Sequence, residues 1–542
     1  LKHSLFGRAA ITIALFVVAS PVNAQTPVPA RDPYDAGVYL LKRGTWFERA
    51  ANRLNEAAKA KPDDFRVFLA RGCAKANRVA SLAYAAAFTE DLANNVRGYP
   101  QELADWEAAQ KDPESDEYGD ERPKPPVSFT FWTKDDHRPY RLTPKEARAR
   151  VDELGKVAAE DWDKARELAV TDDERAEADY VRGWGLLLLD KHRLEPIADE
   201  KVVAKDAPAD EEEEADDVPA PPSARVVEAR KALDEAVKLA PENALYWQAL
   251  GDVLLNGMAS PNALKDNAPA RAAYQKSLDL EPRNPLLWYL LYQATARTLT
   301  FDPAPDNEER RARARTYLLN AAKSDAMNGF FWYQLAALDL RATPYWKINE
   351  RAGTDRESSF AEVLAGATEA DRKTARDAIA LLERANAVPR YAAVRYQPAV
   401  PALLARAWDY TARFASFFDE GTGFRSLARQ VSGYAQASAR ENHTGDAIRA
   451  ARAIIGMGYR LLGDWPTKDK TPGDNTLITS LVGSAIAAIG HATLVKVYEE
   501  VGDEAGRRQA LTEQDALRQR AAARNEAFQI EMARSEAARE DY

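Results

Sequence analysis

The sequence predicts an all-α fold, an α-solenoid of stacked antiparallel helix pairs with long inserted loops. Three observations predict it. A self-similar unit recurs four times, each copy placing an aromatic 18 residues after a small residue: Ala50 and Phe68, Ala229 and Trp247, Ala270 and Trp288, Ala314 and Trp332. Repetition of this kind marks stacked helix pairs rather than one globular core. Helix-start signals of capping-box form, Thr143-Pro144-Lys145-Glu146 and Thr171-Asp172-Asp173-Glu174, lie between the copies. Only 26 of the 542 residues are glycine, and Ala, Leu, Arg and Glu dominate, a composition that favours helices.

Each position in the unit has a physical reading. Leu54, Leu233, Tyr274 and Leu318 follow the small residue by four, and Ala57, Ala236, Ser277 and Ala321 by seven, so all share one helical face. Pro62, Pro241 and Pro282 then stop the helix, with Ala326 in the last copy. Asp64, Asn243, Asn284 and Asn328 stand two residues later as N-caps of the next helix. Gly72 and Gly251 follow ten residues after the proline, where close helix packing excludes a side chain.

In chain order, Lys2, Arg8, the apolar run 9–20 and Val22-Asn23-Ala24 read as a signal peptide, 1–24, cleaved after Ala24 for export to the periplasm or beyond. Residues 25–111 form an N-terminal helical region, and 112–197 a second one opened by a Pro- and acid-rich loop. Val127 to Trp132 read as an apolar clip. Residues 198–223 are a linker, acidic at seven of the eight positions from Asp210 to Asp217, which self-repels and buries no core. The clearest repeats fill 224–341, a C-terminal helical region 342–500, and a charged helical tail 501–542. Leu477 to Val495 is apolar on nearly every face and reads as a buried helix. No later stretch is long and apolar enough to span a membrane.

The repeat, with Leu250-Gly251 after Trp247, resembles the tetratricopeptide repeat (TPR), most closely from Arg225 to about Arg341 and over 36–77. Its departures lie in the turns inside the pairs, lengthened near Ser260-Pro261-Asn262 and Asp302 to Asp306. The resemblance implies a scaffold, divergent and, by its leader, exported, that binds a protein or peptide in a groove. It also implies that polar residues one, five and nine places after the aromatic face that groove. Those positions give Gln248, Asp252 and Asn256; Tyr289, Gln293 and Arg297; Tyr333 and Arg341, with Ala337 at the middle place of the last copy.

The search for chemistry points away from an enzyme and from a cofactor. One cysteine, Cys73, excludes a thiolate-built metal site within one chain and reads as a buried structural thiol. The histidines are dispersed, and Gly421-Thr422-Gly423 and Gly456-Met457-Gly458 lack the strand–turn–helix context of a phosphate loop. His491 reads as a core histidine. A net charge of −10 without a basic stripe argues against nucleic acid. The alternative is a carbohydrate-binding envelope receptor on the same scaffold, with exposed aromatics on sugars. That reading needs Trp288, Trp332 and Trp346 on one open face, and such receptors usually carry a lipid-anchor cysteine after the signal, which is missing here.

Overall fold

The computed structural model describes residues 32–43, 47–83, 144–191, 223–256, 267–296, 299, 305–347, 362–391, 399–462 and 477–540. The expected signal peptide, the clip at Val127 to Trp132, the acidic run, the turn at 260–262, residues 302–304 and Arg297 lie outside them, as do the side chains of Asn256 and Trp346. Among the described residues the protein is helical, with no strand and one isolated parallel bridge between Asn328 and Arg390. No described helix is long and apolar enough to cross a membrane.

The sequence unit is the structural unit. Ala50, Ala229, Ala270 and Ala314 are buried, and so are Leu54, Leu233, Tyr274, Leu318, Ala57, Ala236, Ser277 and Ala321. The caps are made as read: the side chains of Asp64, Asn243, Asn284 and Asn328 accept the backbone N–H two residues on, at 3.0–3.2 Å. Thr171 and Glu174 close a reciprocal capping box, each accepting the other's backbone N–H at 3.1–3.2 Å. A further regularity joins the helices. The indole N–H groups of Trp247, Trp288 and Trp332 each donate to the carbonyl six residues back, on Pro241, Pro282 and Ala326. Each indole thereby closes the turn that the proline or its substitute opens.

The described residues fall into two compact units. One holds the chain up to Leu280 together with Gln397–Phe414. The other holds Glu281–Tyr396 and Ala415–Tyr542. In the first unit Pro33–Arg43 pairs with Phe47–Ala60, Asp172–Lys191 with Ala224–Leu239, and Ala244–Asn256 with Ala268–Leu280. Helical residues 65–83 and the helix Pro144–Leu168 lie between the first two of these pairs in sequence. Close approach sets the glycines. A Cβ on Gly251 would stand 2.5 Å from the Tyr274 ring, and one on Gly72 2.5 Å from the Trp162 indole.

In the second unit Pro285–Ala296 pairs with Pro305–Ser324, Gly329–Arg341 with Glu369–Ala387, and Thr444–Leu462 with Leu477–Glu500. Glu369–Ala387 packs next on Thr444–Leu462, so the intervening helix Ala405–Arg440 interrupts the repeat order. Its later part lies against the repeats: Phe424 meets the rings of Phe330, Tyr333 and Tyr391, and Tyr434 meets Tyr345. The apolar helix read at Leu477 to Val495 is present as Leu477–Glu500 and packs on Thr444–Leu462.

His491 on that helix is 1% exposed, with the Tyr459 hydroxyl 3.3 Å from Nε2 and a Glu513 carboxylate oxygen 3.9 Å from Nδ1. Burial pushes its pKa down, and Glu513 opposes that only in part. The unfolded chain therefore takes up this proton first. The stability contribution is present above the unfolded value of about 6.5 and is lost as pH falls through it. The urea midpoint of the wild type should drop between about pH 7 and pH 5 more steeply than that of His491→Gln. Equal slopes would overturn the assignment.

Candidate functional site

Three helices of the first unit bring one polar side chain each to a single place. On helical residues 65–83 the side chain is Asn77, nine residues after the aromatic Phe68. On Ala244–Asn256 it is Asp252, five after Trp247. On Asp172–Lys191 it is Tyr180, and the glycine gives the register. A Cβ on Gly183 would stand 2.7 Å from Leu233, as one on Gly251 would meet Tyr274. Asp179 thus takes the aromatic's place and Tyr180 stands one residue after it. The three residues therefore occupy the offsets nine, five and one that mark the groove face in the resembled repeats.

What they hold is main chain. The Asp252 carboxylate accepts the backbone N–H of Ala399 at 2.8 Å. The Tyr180 hydroxyl donates to the Ala399 carbonyl at 2.6 Å, and the Asn77 amide donates to the Leu403 carbonyl at 2.8 Å. Ala399 to Pro401 carry no helical turn, and Leu404 closes a turn onto the Pro401 carbonyl at 2.8 Å just before the helix Ala405–Arg440 begins. Ala399 and Leu404 are buried in the unit's core, with Val400 and Leu403 packed against it.

The gripping side chains are themselves positioned. Asp252 accepts a second bond, at 2.8 Å, from the hydroxyl of Tyr274, the ring that Gly251 admits. Tyr180 stacks obliquely on Tyr246 at 4.8 Å, and burial raises its pKa, so it stays a neutral donor. Asn77 also donates to the Cys73 carbonyl at 2.7 Å, one turn back. A carboxylate accepting from a backbone amide forms a charge-assisted bond, the stronger kind.

The expected open ladder is not met, and the physical reason is that the chain covers the face itself. Gln248 and Asp252 are buried in the first unit, Asp252 under the main chain of Ala399. Tyr289 and Tyr333 are buried in the second. Tyr289 lies against Phe330 and Phe331, and Tyr333 against Tyr391 and Phe424, with its hydroxyl donating to Asn386 Oδ1 at 2.6 Å. Gln293 is half-buried and Arg341 exposed, while Arg297 and the Asn256 side chain lie outside the described residues. Asn77 and Tyr180 were not among the groove residues expected from the sequence. Extending the same three offsets to the Phe68 copy, and to the copy registered by Gly183, would have found both.

Other candidates carry less. Cys73 is fully buried and its thiol is pushed up to about 12, which makes it unreactive. Among the described residues no three His, Cys, Asp or Glu side chains gather in a metal-holding group. Trp332 is 2% exposed under the Arg384 guanidinium, 3.7 Å above its ring, and Trp288 packs on Tyr317. Trp332 therefore offers no open face for a sugar, while Trp288 is half-buried.

No protein-family model matches the chain, and no curated protein matches it. Among solved structures, the crystal structure of yeast Tom70 is matched at 14% identity over 89% of this chain and 92% of that one, with a TM-score of 0.21. A likeness at that score carries no argument about function.

Proposed function

We propose that this chain is an exported, non-catalytic scaffold of TPR-like helix pairs that binds an extended segment of a protein or peptide. One observation carries the reading: Asn77, Tyr180 and Asp252, on three helices of the first unit, hold the non-helical segment Ala399–Leu404 by its backbone atoms. Main-chain bonds supply affinity in peptide recognition, and the pockets beside them supply selectivity. The basic start, the short apolar run and the small residues up to Ala24 support export, which N-terminal sequencing of the secreted form tests by a start at Gln25. The sugar-binding alternative loses Trp332, which is buried, and so lacks the single open row of aromatics it needs.

The test is a random peptide display library panned on the full chain. Selected peptides should bind about tenfold more weakly to Asn77→Ala, the loss expected from one buried hydrogen bond. Peptides that bind both forms equally would remove the groove assignment. A library that yields no binder would remove the reading itself.

A further inference from the structure

Ala399–Leu404 has the contacts of a bound peptide rather than of an ordinary connection. The hydrogen bonds that Asn77, Tyr180 and Asp252 make to Ala399 and Leu403 end on backbone atoms. Ala399 to Pro401 carry no regular structure and Ala402 to Leu404 form a turn, with Leu403 half-buried. Ala399 and Pro401 are buried, Val400 is half-buried, Ala402 is exposed, and Leu404 is fully buried at 0%. No charged residue occurs from Gln397 to Ala405. The fit is also incomplete at one atom. Asn77 Oδ1 is buried without a hydrogen-bond partner, although the side chain is only 1% exposed. A native protein seldom leaves a buried amide oxygen unpaired. The Asn77 amide donates to the strap at Leu403 O, so a peptide that also presented a backbone N–H to Oδ1 would pair with both ends of it.

Resting on the groove reading, we propose that Ala399–Leu404 is a resident pseudo-ligand. The partner is an uncharged, apolar, non-helical segment with a small residue at the place of Ala399 and leucine at the place of Leu404, and it enters by displacing the strap. An acidic peptide does not fit this site, because the group that takes the strap's backbone N–H is a carboxylate, that of Asp252. Displacement sets the apparent affinity: a strap seated 99% of the time weakens binding about a hundredfold relative to the empty groove.

The first test uses the unmodified full chain. Backbone hydrogen exchange should show the amides of Ala399, Val400 and Leu404 exchanging by local opening, at least about tenfold faster than the core amides of Asp172–Lys191. Equal protection would make the strap a fixed part of the core and overturn the proposal. The second test titrates a labelled peptide with the sequence of residues 397–405. Full-length Leu404→Ala should bind it about tenfold more tightly than the wild type, and adding Asp252→Ala should abolish the gain. Absence of binding to Leu404→Ala that retains its helical circular dichroism would overturn the proposal. If library peptides bind through Asn77 while the strap peptide does not, the groove reading stands and only this inference falls. The exchange measurement decides the matter even if the substituted chain does not fold.

Discussion

Truncating Trp162 to alanine lowers the unfolding free energy by about 3–5 kcal/mol. Trp162 is 0% exposed and its ring lies where two other helices have no side chain. A Cβ on Gly72 would meet its Nε1 at 2.5 Å, and one on Gly185 would meet its Cη2 at 2.1 Å. The indole thus fills the space between the helix carrying Asn77 and the helix carrying Tyr180. Its removal leaves a cavity bounded by backbone that cannot collapse by rotamer changes alone. The check is the denaturant midpoint of the unit that contains it, at unchanged slope. A loss under about 1 kcal/mol would mean that the site relaxes freely. Trp247, the seam residue that the sequence marks, is only half-buried and should cost less.

The second large effect is electrostatic. Asp161 is 3% exposed and holds two cations, with Arg71 Nε at 3.0 Å and Lys75 Nζ at 2.8 Å. The Lys75 side chain is itself 11% exposed. Burial pushes the Lys75 pKa down, and Asp161 is what pulls it back. Asp161→Ala leaves a buried ammonium without its partner and should cost about 3–5 kcal/mol. The sign of the pH effect follows. A folded-state lysine pKa below the unfolded value near 10.4 means that the unfolded chain binds more protons in between, so stability rises with pH across that window. The variant's deficit should therefore shrink from about pH 8 toward pH 10, and a second change, Lys75→Met, should recover most of it. A deficit independent of both would place the cost in packing instead.

The helices were legible because their rules are local. Asn243, Asn284 and Asn328 cap two residues after the break, and Thr171 and Glu174 close their box, through groups only a few residues apart. Gly251 was legible for the same reason, since Trp247, Leu250 and Tyr274 set its register. Asp252 was singled out by its place in the repeat, and its carboxylate does accept a backbone N–H, that of Ala399. What covers Asp252 was not legible. Ala399 comes 147 residues after Asp252, and Leu403 comes 326 after Asn77. The stretch Gln-Pro-Ala-Val-Pro-Ala-Leu-Leu has no period of its own to announce a partner. The burial of Tyr289 and Tyr333 likewise follows from rings such as Phe330, Tyr391 and Phe424, whose approach no local pattern encodes.

The first unit is discontinuous, since its last piece, Gln397–Phe414, follows the whole stretch Glu281–Tyr396. On a ribosome adding about 5–20 residues each second, roughly ten seconds separate the emergence of Leu280 from that of Ala399. During that interval Asn77, Tyr180 and Asp252 are already synthesised, while the segment that satisfies them is not. The nascent helices thus expose their main-chain-binding groups to whatever is nearby. Completion of the unit depends on a late, long-range closure, the slowest class of folding contact. A chain truncated before Gln397 would carry every helix of the first unit up to Leu280 and still lack the means to shield them, which makes premature termination an aggregation hazard rather than merely a loss of length.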